Sequence, residues 1–479
     1  MSDGALWSPE AMAAAMTAQA QGRLPASVNG LSIDTRTIGR GDAFFAIAGA
    51  RDGHDFVEAA LKAGAGLAVV AKDKRAQFVA DAPLLVVDDV LAALRRLAVA
   101  ARARTTAKVI AVTGSVGKTS TKEALRVALA PDGETHASVA SYNNHWGVPL
   151  SLARCPAGAR SAVCEIGMKH AGAFLDLVQL VRPDVAVITT IEPVHLEYFG
   201  TLAKIADAKA EIFTGIVPGG AAVINHDNPQ YPRLRRRARQ AGVNRVVTFG
   251  IHARADAWLM KYVLHPDCTT VQARIMGTPV TYKVGAPGLQ LVFNSLAVLA
   301  AVSLAGADLA LAAVALAGLQ PPAGRGSRIT LDVAGGEALL IDESYNANPA
   351  SMRAAIALLG QAEIGPRGRR IAVLGDMLEL GDQGGSLHRN LSEAIDAAAV
   401  DLVFCCGKLM HELWEALPSN RRGGYAETAA ELEPLLIDAI RPGDAIMIKG
   451  SNGSRLGPVV KALERRYSRE ALQAAPAEG

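Results

Sequence analysis

At 479 residues, half of them hydrophobic and a fifth charged, the chain is too long for one core and too apolar to be disordered. Roughly two to four domains are expected. A net charge of +3 supplies no field for nucleic acid or a membrane surface. The cysteines Cys155, Cys164, Cys268, Cys405 and Cys406 are odd in number and lack C-x-x-C spacing. That excludes a disulfide framework or zinc site as the organising feature and fits a reducing cytoplasm.

In chain order, Met1–Gln21 carries Asp3 and Glu10 but no Lys or Arg. A secretory signal needs a basic start, so none is expected, and the expected location is cytoplasmic. Residues 1–107 show short apolar strands at Ala43–Ala48, Leu67–Val70 and Leu84–Val87, then a connecting helix at Val90–Arg104. They read as a smaller N-terminal α/β domain.

Residues 108–322 open with the most informative segment. The apolar run Val109–Val112 reads as a buried strand. It enters Thr113-Gly114-Ser115-Val116-Gly117-Lys118-Thr119-Ser120 and then a helix-forming stretch, Thr121–Ala130. Strand, glycine-bracketed loop, Lys-Thr-Ser and helix make a phosphate loop. Gly114 and Gly117 let backbone N–H groups turn toward an anion, and the helix N-terminus adds its dipole. Lys118 reaches β- and γ-phosphates, and the Thr119 hydroxyl suits Mg²⁺. The common pattern places another Gly where Val112 stands, so this is a variant loop.

The block continues with strands at Ala162–Ile166, Val185–Ile191, Ala221–Ile224 and Val246–Phe249, alternating with helices. That rhythm predicts a parallel sheet with helices on both faces. The run Arg233–Arg239, with five arginines, has no interleaved aromatics and reads as a solvated helix face. Leu296–Leu319 approaches membrane-spanning length with Asp308 its only charge. Gly306-Ala307-Asp308 in its middle favours two buried helices joined by a turn. No membrane insertion is expected.

The linker Gln320–Gly326 leads into residues 323–479, with strands at Ala338–Ile341, Ile371–Leu374, Leu402–Cys405 and Ala445–Ile448. This is a second open, Rossmann-like α/β domain, with a fraying tail after Tyr467.

Glu165 ends one central strand and His195 lies just past another. Ligands of an open parallel sheet bind beyond the strands' carboxyl ends. Both residues should therefore face the phosphate loop, as Mg²⁺ ligands or their supports. Taken singly, Glu165 could cap a helix and His195 could be an ordinary loop histidine.

Jointly the motifs resemble the Mur ligases, ATP-dependent amide-forming enzymes of peptidoglycan precursor synthesis. They are Thr-Gly-x-x-Gly-Lys-Thr, Tyr142-Asn143-Asn144, Glu165-Ile166-Gly167, His195-Leu196-Glu197 and Ala208–Phe213. Ser344–Pro349, Gly375–Gly381 and Lys449-Gly450-Ser451 follow, and Ser32–Arg36 and Gly41–Ala46 precede them. The strings Ser-Tyr-Asn-Ala-Asn-Pro and Gly-Asp-Met-Leu-Glu-Leu-Gly resemble the branch that joins D-Ala-D-Ala to UDP-MurNAc-tripeptide. Two departures stand out. The adenine-side motif Gly-x-His-Asn-x-x-Asn is here Gly288-Leu289-Gln290-Leu291-Val292-Phe293-Asn294, and the strand-end residue before the histidine motif is Thr190 where Asn is usual.

The resemblance implies a reaction. ATP phosphorylates the tripeptide's terminal carboxylate, and the dipeptide amine displaces phosphate. It also implies roles. Gly114, Ser115, Val116, Gly117, Lys118, Thr119 and Ser120 would cradle the phosphates, with Lys118, Glu165, His195 and Lys209 catalytic. Thr119, Glu165 and His195 would hold Mg²⁺, joined by Lys209 as a carbamate. Asn294 would lie near adenine, Asp342 on ribose and Arg328 on the γ-phosphate, with Arg325 the runner-up. Ser32, Asp34, Thr35 and Arg36 would take the uridine nucleotide, and Asn143 and Asn144 the muramoyl-peptide arm. Asn346, Asn348 and Lys449 would meet the dipeptide, although Asn143 and Asn348 equally suit turns. A monomer acting on small molecules without nucleic acid is expected. The alternatives are a folate-glutamate sibling ligase and a regulatory P-loop ATPase.

Overall fold

The computed structural model describes residues 5–139, 141–168, 174–194 and 196–468. Among them, three sheets form in chain order. The first has five strands, ordered Gln19–Gln21, Leu84–Val87, Leu67–Ala71, Ala43–Phe45 and Leu31–Ser32. Only its Gln19–Gln21 edge runs antiparallel to its neighbour. The helix Val90–Arg104 then crosses to the second sheet. Asp89 caps it, accepting from the Ala92 amide at 2.6 Å. Val90, Ala93, Leu94, Leu97 and Ala101 repeat at helical spacing and fill the first core. Ala98, a turn away, enters the second.

The second sheet has nine strands. Its parallel part runs Arg245–Gly250, Ala221–Asn225, Val185–Ile188, Lys108–Thr113, Ser161–Glu165 and Thr135–Ala137. Along Lys108–Thr113, Ile110 and Val112 enter one core while Val109 and Ala111 enter the other. That period of two, apolar on both faces, is what a sheet covered by helices on both sides requires. The phosphate-loop strand lies between Val185–Ile188 and Ser161–Glu165. Chain order reverses there, so a crevice opens at its carboxyl end.

The sheet continues into a ribbon that the strand-helix rhythm does not announce. Ala257–Leu264, Thr269–Ile275 and Thr278–Val284 extend it, the last two pairings antiparallel. The second hairpin turns at Met276 and Gly277, with φ of 47° and 94°. Positive φ at both positions matches the right-handed twist of the flanking strands. The apolar stretch before the linker is two helices, Leu289–Ala305 and Leu309–Ala315. Gly306 (φ 79°) ends the first, and Asp308 caps the second through the Leu311 amide at 2.9 Å. No helix among the described residues is long and apolar enough to cross a membrane.

The third sheet orders Ser327–Val333, Gly336–Glu343, Ala445–Lys449, Arg370–Gly375, Leu402–Cys406 and Arg422–Ala426. The first pair is antiparallel and the rest parallel. Asp342 fastens the linker to this sheet. Its Oδ2 accepts from the Gly324 amide at 2.9 Å, and its carbonyl accepts from Gly326 at 2.8 Å.

Candidate active site

The phosphate loop is shaped by two contacts that exclude side chains. A Cβ on Gly114 would lie 1.9 Å from Thr189 Oγ1, and one on Gly117 (φ 85°) would lie 3.0 Å from Asn294 Oδ1. Gly117 caps the helix Lys118–Leu129. Its amides and dipole face the loop's interior. Lys118 Nζ lies over the loop, donating to the carbonyls of Gly114 at 2.7 Å and Ser115 at 3.3 Å. Burial pushes its pKa below the usual lysine value. Glu165 opposes that shift and Arg325 adds to it.

Behind the lysine, Thr119 Oγ1 donates to Glu165 Oε2 at 2.8 Å. Asn143 Nδ2 donates to Glu165 Oε1 at 2.7 Å. Glu165 is 1% exposed and closes the strand Ser161–Glu165. Local strand geometry thus brings a carboxylate to the first turn of the phosphate-loop helix. Lys209, on the helix Leu202–Ala210, joins the same cleft and is 2% exposed. Among the described residues its amine has no hydrogen-bond or ion-pair partner. Burial, then the charge on Lys118, holds it well below the usual lysine range. His195 lies outside the described residues.

Across the cleft stands the third sheet. Lys449 Nζ pairs with Glu343 Oε2 at 3.2 Å and donates to the Asn346 carbonyl at 2.9 Å. The cleft has a volume of about 830 Å³ and is lined from both sides. Gly117, Lys118, Glu165 and Lys209 face Glu343, Asn346, Asn348 and Lys449. Asn143, Asn144 and Asn294 also reach it. Asn144 Oδ1 accepts from the Gly147 amide at 2.8 Å, where the helix Gly147–Ala153 begins. Asn348 caps Pro349–Gly360 through the Ser351 amide at 2.9 Å, so its side chain does the work of a turn residue.

Two of the expected nucleotide contacts stand outside the cleft lining. Arg328 is outside the cleft lining; its guanidinium bonds the Pro266 carbonyl at the ribbon's turn. Arg325 occupies the cleft instead. Its guanidinium lies 4.2 Å from the Tyr345 ring centre and reaches Ser141 Oγ at 3.4 Å. The linker's glycine turns carry Arg325 inward, whereas strand pairing carries Arg328 to the edge. Asp342 is also outside the lining, and its two carboxylate oxygens accept backbone amides, from Gly324 and Ser344.

Ser32, Asp34, Thr35 and Arg36 form a separate corner. Asp34 grips Arg36 at 2.6 Å, which draws the carboxyl down to about 2, and Ser32 Oγ accepts from the Asp34 amide at 3.1 Å. None of the four lines the cleft. Sequence reasoning missed Ser141, Thr189, Glu192, Glu343 and Tyr345, all cleft residues. Glu192 carried a signal as a carboxylate in the loop before His195, and Glu343 and Tyr345 as neighbours within the Ser344–Pro349 motif region.

Comparison with known proteins follows this division. Residues 27–102 match the Mur ligase family catalytic domain, 112–302 the Mur ligase middle domain, and 327–452 the Mur ligase glutamate ligase domain. The UDP-N-acetylmuramoyl-tripeptide–D-alanyl-D-alanine ligase of Rickettsia prowazekii is 31% identical, over 90% of this chain and 94% of its own. That of Escherichia coli is 34% identical, over 91% and 94%. The crystal structure of MurF from Acinetobacter baumannii superposes with a TM-score of 0.80 at 29% identity, covering 96% of this chain and 99% of that one. MurF from Thermotoga maritima in complex with ADP gives 0.74 at 25% identity, covering 92% and 98%. The chain belongs to the Mur ligase family.

Proposed function

We propose that the chain is an ATP-dependent amide ligase that joins D-Ala-D-Ala to the terminal carboxylate of UDP-MurNAc-tripeptide. The observation that carries this reading is a phosphate loop and a third-sheet wall sharing one 830 Å³ cleft. A carboxylate is a poor electrophile, and phosphorylation gives it a leaving group. Bringing triphosphate and carboxylate together needs concentrated positive charge. Lys118, the loop amides and Arg325 supply it from this chain. Arg325 takes the γ-phosphate in this reading. Asn294, packed on Gly117, and Gln290 meet the base.

The donor set fits Mg²⁺. Thr119 and Glu165 place oxygen ligands 2.8 Å apart beside the loop, and small hard cations take oxygen. The ion would neutralise phosphate charge when bound. Lys209 fits as a ligand only after its amine adds CO₂ and loses a proton, giving a carbamate with two oxygens. The uncharged amine is the form that reacts so, and burial disfavours the cation here.

The domain division at 107/108 and 322/323 belongs to the same reading. Residues 1–107 receive the uridine nucleotide at Ser32–Arg36, residues 108–322 receive ATP, and residues 323–479 receive the dipeptide near Asn346 and Lys449. A monomer working in the cytoplasm, where ATP and nucleotide-linked precursors occur, completes it. The test is phosphate release from ATP, measured with each substrate omitted in turn. Release should require both UDP-MurNAc-tripeptide and D-Ala-D-Ala, with a product mass equal to their amide. Release with ATP alone would overturn the reading.

A further inference from the structure

The incoming amine poses a problem that the positive cleft does not solve. An α-ammonium has a pKa of about 7.7–8.0, so near neutrality it is mostly protonated and cannot attack. It needs a carboxylate that holds the cation and accepts a proton.

Among the described residues, four carboxylates line the cleft: Glu165, Glu192, Glu343 and Glu379. Thr119 and Asn143 occupy both oxygens of Glu165. Glu343 is paired with Lys449. Glu379 also has a partner. Glu192 differs. Among the described residues its carboxylate has one hydrogen bond, a long one of 3.4 Å from Thr190 Oγ1 to Oε1.

Its main chain, by contrast, is fixed to the phosphate loop itself. Ser115 Oγ accepts from the Glu192 amide at 2.9 Å and donates to the Glu192 carbonyl at 3.0 Å. Thr190 is held in turn by Asn228 Nδ2 at 3.0 Å. The backbone that carries the carboxylate is therefore fixed relative to the phosphate loop. Opposite it, Ala350, Ser351 and Ala354 of the helix Pro349–Gly360 form the third-sheet side of the cleft. Arg353 of that helix is the charged group felt from there.

We infer that Glu192 receives the incoming amine: its carboxylate binds the substrate ammonium and takes one of its protons. This rests on the ligase reading of the cleft. The freed nitrogen lone pair attacks the acyl carbon, forming the C–N bond. The bond from that carbon to the phosphate oxygen breaks, and phosphate leaves with the electron pair and a second proton from nitrogen. The third hydrogen stays on the amide. Burial raises the Glu192 pKa while Arg353 and the Thr190 hydroxyl lower it, a balance that moves a carboxyl toward the pH where a base works best.

Hydroxylamine separates the steps, because it is unprotonated near neutrality and traps an acyl phosphate as a hydroxamate without a base. Wild-type protein and Glu192→Gln are compared with ATP and UDP-MurNAc-tripeptide, using either hydroxylamine or D-Ala-D-Ala. Glu192→Gln should form hydroxamate within about twofold of wild type. It should lose dipeptide ligation at pH 7 by about 100-fold or more. That deficit should shrink about fivefold between pH 7 and pH 8, and little more above pH 9, as the medium deprotonates the amine. Glu192→Asp should recover part of the ligation. Equal loss of both reactions, or undiminished ligation, would overturn the inference. Absence of hydroxamate from wild type would overturn the ligase reading, and this one with it.

Discussion

Lys209 and Lys449 face one cleft from opposite walls, one on a helix and one at a strand end, and each is 2% exposed. Lys449 lies 3.2 Å from Glu343 and donates to a carbonyl. Its charge is compensated, so its burial is structural and electrostatic. Lys209 faces the cleft without a partner among the described residues, and burial disfavours its cation. Equal burial thus gives two electrostatic situations, a compensated cation and a disfavoured one, and the neighbours decide which.

The sharpest way to break this comparison is to remove the reactive amine. Under the carbamate reading, Lys209→Ala leaves the metal short of ligands and should be nearly inactive. A small carboxylate such as acetate should restore part of the activity, and mass spectrometry of protein trapped under CO₂ should show the adduct. Full activity of the alanine variant would return Lys209 to a merely buried amine.

Removing the paired amine should act differently. Lys449→Ala leaves Glu343, 14% exposed in its side chain, without its cation. Breaking such a pair costs about 3 kcal/mol. Denaturant unfolding should show that loss, and Lys449→Met with Glu343→Gln should recover much of it. Acetate should restore nothing. A stable Lys449→Ala would mean that water already solvates Glu343.

What the sequence revealed and concealed follows the same line between local and distant causes. The phosphate loop was legible because strand, glycines, lysine and helix are contiguous. The turn inside Leu296–Leu319 was legible because Gly306 and Asp308 are local stop and start signals. Arg325 and Arg328 could not be separated, since three residues decide whether the guanidinium leaves a glycine turn or a strand edge. The amides of Gly324 and Ser344 that Asp342 accepts could not be read from the sequence, because one of them comes from 18 residues away. The ribbon Ala257–Val284 was missed because the preceding rhythm favoured helices, although Met276-Gly277 between alternating strands marked a hairpin.

A third buried group extends the comparison to a neutral base. His388 is 0% exposed. Its Nε2 accepts from the Met377 amide at 2.8 Å, so Nδ1 carries the proton and donates to the Gly384 carbonyl at 2.6 Å. Burial lowers its pKa from 6.5, although the Gly384 carbonyl and Asp376 oppose the shift. The unfolded chain therefore binds the proton more readily. Stability is full above about pH 6.5 and falls as pH drops below it. His388→Gln, which can still accept from Met377, should cost about 1 kcal/mol at pH 7 and lose this part of the acid sensitivity. Equal acid slopes in thermal melts of both proteins would assign the sensitivity elsewhere.

The smallest effect sits on the helix that carries Lys209. Asp207, two residues before it, is held by Arg233 at 2.8 Å and Arg237 at 2.8 Å, both from Tyr231–Gln240. The arginine run is thus divided. Arg235 and Arg236 are exposed, while Arg233 and Arg237 tie their helix to Leu202–Ala210. These pairs are partly open to solvent, and a pair of that kind contributes about 0.5 kcal/mol. Changing Arg235 and Arg236 to Gln should leave melting temperature and ligation unchanged. Changing Arg233 and Arg237 to Gln should lower stability by about 1 kcal/mol, more at low salt than at high, since screening weakens exposed pairs. If it also lowered turnover with the melt corrected for, the pairs would be positioning Lys209 as well as joining two helices. If Arg235 and Arg236 proved the costly pair, the exposed face would be a binding surface, and the division of the run drawn from these contacts would be wrong.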